Sequence, residues 1–203
     1  MKADAAHPGP RLTLRQEQRD LTRRRITRAA RACFYEGGVE GTSMEQVAAA
    51  AGVSRATLYL HFVNKDALLL ALLSSNLRGV RELYRGLPAR LDKAAAAKWL
   101  TDYVQVLRGH RDAMRLFHIG LASSGEAREL VDDHREAVID ILAESFSALA
   151  RTGENARHRH ARAILALARV DHVASALAED EPRIDADASL DLVAEELVSV
   201  LTG

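Results

Sequence analysis

The sequence predicts an all-α protein, and three observations carry that prediction. Between the glycines and the four prolines the chain is dominated by Ala, Leu, Arg and Glu, all good helix formers. Apolar residues recur at three-to-four spacing, and no segment sustains period-two alternation. The 203 residues are 48% hydrophobic and 28% charged, a composition that buries a core and does not fit a disordered chain.

The elements follow from the punctuation. Residues 1–13 read as a disordered tail. A first helix runs from Leu14 to Tyr35, with Ile26, Ala29, Ala30, Cys33 and Phe34 on one face, and stops at the Gly37-Gly38 pair. Short helices are predicted over 44–51 and 55–61, and a longer one over 65–85. Beyond Gly86-Leu87-Pro88, helices are placed over 90–108, 111–122, 126–151, 155–179 and 186–201, separated by Gly109, Gly125, Gly153 and Glu181-Pro182. That makes about nine helices. The division expected is an N-terminal three-helix domain over 14–64 and a helical body over 65–203.

Charge and cysteine usage narrow the class. Lys plus Arg (28) balances Asp plus Glu (28) over the whole chain. Residues 1–66 nevertheless carry 11 basic against 7 acidic side chains, and the rest 17 against 21. Arg11, Arg15, Arg19, Arg23, Arg24, Arg25, Arg28 and Arg31 concentrate that excess, which points to a polyanion partner or a solvated helix face. The longest stretch without a charged residue, Ala67 to Leu77, is eleven residues. It is short of the roughly 20 needed to span a bilayer, so no membrane partner is expected. The N-terminus has no apolar signal core, and the single cysteine, Cys33, fits a reducing cytoplasm.

Residues 42–66 carry the functional signal. Ser43 followed by Gln46 forms a capping box that starts a helix at Met44. Val47, Ala48 and Ala51 form its inner face, Gly52 supplies the left-handed stop, and Val53 plugs the junction. Ser54 caps a second helix, Arg55 to His61, whose Leu58 and Phe62 turn back into the small core. A short helix, a tight turn at a small residue and a second short helix make a helix-turn-helix. In that unit the second helix enters the major groove of double-stranded DNA. Arg55, Ala56, Thr57 and Tyr59 would then be its outward side chains. Arg55 suits guanine, Thr57 a thymine methyl or polar base edge, and Tyr59 and His61 suit phosphates. Lys65, at the start of the next helix, suits a phosphate as well.

These residues resemble a known family. Gly41-Thr42-Ser43, Glu45-Gln46-Val47-Ala48, Ala51-Gly52-Val53-Ser54, Thr57-Leu58-Tyr59, His61-Phe62 and Asn64-Lys65-Asp66-Ala67-Leu68-Leu69 are similar to the N-terminal domain of TetR-family transcriptional regulators. The likeness covers about residues 22–72. It implies an all-helical homodimer, usually of nine helices, with an N-terminal DNA-binding domain and a C-terminal domain for effector binding and dimerisation. It also implies phosphate or base contacts at Thr42, Ser43, Ser54, Arg55, Thr57, Tyr59, His61 and Lys65. The Arg-rich lead-in with Arg11, Arg15 and Arg19 departs from what the motif needs. It either crosses the phosphate backbone, reaches a minor groove, or serves only as a solubilising tail.

The body shows two apolar stripes that suggest a seam between two copies. Ile164, Leu167, Val170, Ala174 and Leu177 repeat along one helix, with Ala161, Leu165 and Ala168 alongside. Leu190, Val193, Leu197 and Val200 do the same on the last. Two such helices from each copy would form a four-helix bundle, with recognition helices about 34 Å apart to match a palindromic operator. An intramolecular core is the competing reading. An effector pocket, if present, draws on Trp99, Tyr103, Leu107, Met114, Phe117, His118, Leu121, His134, Ile141, Phe146 and His172, an aromatic-and-Met set that also suits ordinary core. Asp171-His172 on an apolar helix reads as a pocket wall or as a pair at the seam.

Catalysis and metals find no support in the sequence. There is no phosphate-binding loop, nucleophile elbow, zinc-protease motif or dinucleotide fingerprint. His158 and His160 point to different sides of a helix beside arginines, so no metal and no cofactor is expected. The reading is a homodimeric regulator, a repressor released by a small apolar or amphipathic ligand. Its alternatives are a DNA-binding regulator without an effector and a helical protein-interaction module.

Overall fold

The computed structural model describes residues 13–110 and 125–203, and among them every regular element is helical. The α-helices are α1 (Leu14–Gly41), α2 (Met44–Ala51), α3 (Arg55–His61), α4 (Lys65–Arg85), α5 (Lys93–Gly109), α6 (Gly125–Ala143), α7 (Ala156–Ala178) and α8 (Ala186–Thr202), with a 3-10 turn at Ser147–Leu149. Eight α-helices are thus present among the described residues. The helix expected over 111–122 lies outside them, as does the tail apart from Thr13. Thr13 is no tail residue: with Gln16 it closes a capping box that starts α1.

The chain forms two units, one ending at Leu69 and the other starting at Leu70. The division falls within α4 (Lys65–Arg85). In the first unit the core is Ile26, Ala30 and Phe34 of α1, Val47, Ala48 and Ala51 of α2, and Leu58, Phe62, Leu68 and Leu69. The glycine pair interrupts α1 as expected. Gly38 has φ 71° and ψ 164°, outside helical values, and one further turn carries the chain to Gly41.

In the second unit α5 packs against α7 and α8. Tyr103, Val104 and Leu107 share a core with Val170, Ala174, Leu177, Val193, Leu197 and Leu201. Side-chain caps at Asp92 and Asp185 start α5 and α8, accepting from the amides of Ala95 and Ala188 at 2.8 and 2.7 Å. The expected helix 126–151 is shorter than predicted. It ends at Ala143, and the chain turns so that Phe146 is buried. Burying that ring outweighs continuing a helix through Ser145 and Ser147, two weak helix formers. No single helix among the described residues is long and apolar enough to cross a membrane.

Candidate nucleic-acid interface

The geometry of residues 42–66 comes from local hydrogen bonds. The Gln46 amide donates to Ser43 Oγ at 3.1 Å, and the Ser43 amide donates to Gln46 Oε1 at 2.7 Å. Gly52 sits at φ 63°, ψ 41°, and the Val53 amide donates to the Ala48 carbonyl at 3.0 Å. This left-handed stop turns the chain directly into α3. There the Thr57 amide donates to Ser54 Oγ at 3.0 Å.

The turn presents one face of α3 outward. Arg55, Ala56 and Tyr59 are exposed, Thr57 and His61 are half-buried, and Leu58 and Phe62 are buried. Leu60, 80% exposed, shares that face, and Val63 follows it at 75%. Sequence reasoning passed over both, although apolar residues left out of a helix's inward register carry that signal. Arg55 Nε lies 3.1 Å from Glu45 Oε1 across the turn, and its guanidinium stands 5.6 Å from the Tyr59 ring centre. Lys65 Nζ donates to the Glu40 carbonyl at 3.2 Å and faces its carboxylate at 3.8 Å.

Three residues expected as contacts have local duties. Thr42 is buried, and its hydroxyl lies 2.7 Å from the Gly38 carbonyl and 3.0 Å from that of Cys33. It ties down the bend in α1. The Ser43 and Ser54 hydroxyls cap helices. Two arginines counted in the basic excess are also structural, at least in part. Arg25 donates to the carbonyls of Ala51 (2.8 Å) and Gly52 (3.2 Å). Arg23 donates to the His61 carbonyl at 3.2 Å and covers the Phe62 ring at 4.2 Å. Each places a cation at the negative end of a helix.

The residues proposed for a pocket divide. Trp99, Tyr103, Leu107, His134 and Phe146 are buried, and Ile141 is partly so. Met114, Phe117, His118 and Leu121 lie outside the described residues. His172 is exposed, so it is no pocket wall. Its neighbour Asp171 turns inward, which also rules out their pairing. Tyr103 donates its hydroxyl to Asp171 at 3.3 Å, and Arg135 Nε stands 3.7 Å from the same carboxylate. Burial raises the Asp171 pKa to about 6 despite Arg135 and the Tyr103 hydrogen bond. Burial, then the charges of Arg81 and Arg135, lowers that of His134 to about 4.

Tyr84, which sequence reasoning missed although it continues the apolar spacing of Leu77, completes an aromatic trio with Trp99 and Tyr103. The ring centres lie 5.0, 5.3 and 5.9 Å apart. Burial, with the Asp171 charge, holds the Tyr84 phenol well above its ordinary pKa. Among the described residues neither its hydroxyl nor His134 Nδ1 has a hydrogen-bond partner of normal geometry. Tyr84, Ile141 and Phe146 also border a cleft of about 160 Å³. Among the described residues no three His, Cys, Asp or Glu side chains gather as a metal site.

The stripes read as a seam between copies divide as well. Leu167, Val170, Ala174, Leu177, Val193, Leu197 and Val200 are buried within the protomer, so they form its own core. Ile164, Ala168 and Leu190 are partly buried, and Ala161 and Leu165 are exposed. The spacing had marked mainly the inward face. The outward one carries Leu165 (65% exposed) on α7, which belongs to the stripe set, and Leu192 (66%) on α8.

A capped helix, a left-handed glycine and a second capped helix with an outward polar face define the first unit as a helix-turn-helix module. Residues 26–72 match the family model of bacterial regulatory proteins of the tetR family. The chain is 43% identical over 60 residues to the HTH-type transcriptional regulator TtgR of Pseudomonas putida, a match covering 30% of this chain and 29% of that one. It thus spans less than a third of the curated relatives matched in this way. Two solved structures share the fold over nearly the whole chain. FadR of Bacillus subtilis in complex with stearoyl-CoA has a TM-score of 0.62 at 21% identity, covering 87% of this chain and 98% of that one. The multidrug binding protein EbrR complexed with malachite green has a TM-score of 0.64 at 20% identity, covering 86% and 96%. Residues 26–72 are thus similar to the DNA-binding domain of TetR-family transcriptional regulators.

Proposed function

We propose that this chain is a homodimeric, sequence-specific regulator of transcription, a repressor released when a small apolar or amphipathic ligand binds its C-terminal unit. The observation that carries this reading is the outward face of α3. Arg55, Ala56, Tyr59 and Leu60 stand clear of the core on a helix whose start is fixed by Ser54 and whose approach is fixed by Gly52. A guanidinium reads guanine, small apolar surfaces meet thymine methyls, and Tyr59, His61 and Lys65 reach phosphates.

The dimer reading is supported by Leu165 and Leu192, large apolar side chains left outside the protomer's core. The effector reading is supported by the buried Tyr84 hydroxyl, whose ring lies against Trp99 and Tyr103, and by the buried His134 Nδ1, neither of which has a hydrogen-bond partner of normal geometry among the described residues. FadR and EbrR were each captured with a ligand on the same fold. Helix α4 starts at Lys65 and continues into the second unit, so a ligand that shifts it alters a DNA-facing residue. For release the ligand must favour the non-binding arrangement; equal affinity for both shifts nothing.

The test is selection of genomic DNA fragments by the purified chain at moderate salt, followed by sequencing. Enrichment of one short palindrome supports a sequence-reading dimer. Uniform retention that vanishes as salt rises means phosphate attraction alone and overturns the proposal.

A further inference from the structure

The start of α1 is the basic feature that the helix-turn-helix leaves over. Every residue from Thr13 to Leu21 is exposed, including Leu14 (79%) and Leu21 (62%). Core-facing positions begin only at Ile26. The segment is nonetheless a built helix, begun by the Thr13–Gln16 capping box, with the Thr13 amide 2.8 Å from Gln16 Oε1 and the Gln16 amide 3.3 Å from Thr13 Oγ1. A helix start fixed three turns ahead of its core has no packing role in its own domain.

Its charges are sorted by face. Arg15, Arg19 and Arg23 follow one another at four-residue spacing, and the same line continues into Ile26 and Ala30. The arginine row therefore extends the very face that α1 packs into its core. Glu17 and Asp20 project from the other side. A row meant only to aid solubility needs no such sorting.

The row also meets the recognition helix. Arg23 donates to the His61 carbonyl and lies over Phe62, at the end of α3. His61 is held below its ordinary pKa by burial first, then by the positive charges of Arg19 and Arg23. Arg19 thus sits within electrostatic reach of α3, on a surface where cation adds to cation. One four-residue step advances about 6 Å along the helix, comparable with the distance between successive phosphates of one strand.

We propose that the first two turns of α1 are a second DNA-contact element, in which Arg15 and Arg19 hold backbone phosphates beside the segment read by α3. The inference rests on the DNA-binding reading above. Arg23 is the joint, spending its guanidinium on α3, while Arg15 and Arg19 reach beyond the domain. Their contribution is affinity and register, not base choice.

The test uses the full-length chain and two labelled duplexes: a fragment retained by the wild type in selection, and a scrambled duplex of the same length. Binding is followed across about 50–200 mM salt. In the double variant Arg15→Ala with Arg19→Ala, the slope of log affinity against log salt should become shallower by about two units per bound protomer, equally for both duplexes. The charge-retaining Arg15→Lys with Arg19→Lys should keep the wild-type slope, and thermal unfolding of both variants should match the wild type. An unchanged slope in the alanine variant overturns the proposal. If at the same time Arg55→Ala loses the preference for the selected fragment, the regulator reading stands and only this inference falls. If the wild type retains neither duplex, both fall.

Discussion

A Cβ built on Gly52 would lie 3.0 Å from Nη2 of Arg25, which donates to the carbonyl of Gly52 itself at 3.2 Å. The glycine is therefore required twice, for its left-handed backbone at φ 63° and for the space that a guanidinium takes up beside it. The turn between α2 and α3 is clasped from α1, and so is the angle at which α3 is presented.

Gly52→Ala should lower stability by about 1–2 kcal/mol from backbone strain alone. Arg25→Ala should cost about 1–2 kcal/mol by removing hydrogen bonds to carbonyls at a helix end. Because the methyl group already displaces Arg25, the double variant should lose less than the sum of the two. Urea denaturation of the four proteins checks this. Strict additivity would mean that the clasp makes no energetic difference.

The pair Arg55–Glu45 gives a binding prediction. Both side chains are more than half exposed, so the pair adds at most about 1 kcal/mol to stability. Glu45→Gln should leave unfolding unchanged and tighten DNA binding, because Arg55 loses a competing partner and the surface loses a negative charge. Arg55→Ala should weaken binding by about 1–3 kcal/mol and relax base preference, whereas Lys65→Ala should weaken all sequences alike. Fluorescence anisotropy on matched and mismatched duplexes separates these patterns. Identical losses on every duplex for Arg55→Ala would count against α3 as the reading helix.

What was legible in the sequence was local. Ser43, Gln46, Gly52 and Ser54 fix caps and a turn through bonds spanning three to five residues, and a sequence displays such chemistry directly. Arg23 and Arg25 were read as part of a phosphate-binding excess, because their carbonyl acceptors lie 38 and 26 residues away and nothing local announces them. The stripes on α7 and α8 were located, but Leu167, Val170, Ala174, Leu177, Val193, Leu197 and Val200 in them face the protomer's own core: periodicity says which face is covered, not what covers it. Asp171 and His172 looked like a pair, yet consecutive residues on a helix point about 100° apart. One turns inward and the other outward.

The aromatic trio yields a paired test. The buried Tyr84 hydroxyl makes no hydrogen bond of normal geometry among the described residues, so Tyr84→Phe should leave stability unchanged or raise it by about 1 kcal/mol. Tyr103→Phe removes the donor to Asp171 and should cost about 1 kcal/mol. Thermal unfolding of the two variants distinguishes these roles. A loss in Tyr84→Phe equal to that in Tyr103→Phe would show that the Tyr84 hydroxyl is satisfied.

The outward faces of α7 and α8 give a prediction about assembly. Leu165→Glu combined with Leu192→Glu alters two side chains that the protomer does not bury, so the fold should persist with a helical spectrum like the wild type's. On the proposed dimer, sedimentation of the wild type should give a dimer and that of the variant a monomer, and binding to a palindromic duplex should fall while the helix-turn-helix remains intact. A variant that still sediments as a dimer would move the seam elsewhere.

Asp171 and His134 oppose each other in pH dependence. His134 has a pKa of about 4, below its ordinary 6.5, so the folded protein binds fewer protons than the unfolded chain between those values, and this group's contribution rises with pH. Asp171 has a pKa of about 6, above its ordinary 3.8, so folding takes up a proton in that interval, and its contribution falls as pH rises. The two windows overlap between about pH 4 and 6 and largely cancel, giving the wild type a shallow profile from this site. Asp171→Asn should expose the histidine, so that the variant loses about 1–2 kcal/mol more than wild type on acidification from pH 6.5 to 4. His134→Gln should tilt the profile the other way. Urea midpoints across that range decide the matter: if both variants tilt in the same direction, the opposing pair is wrong.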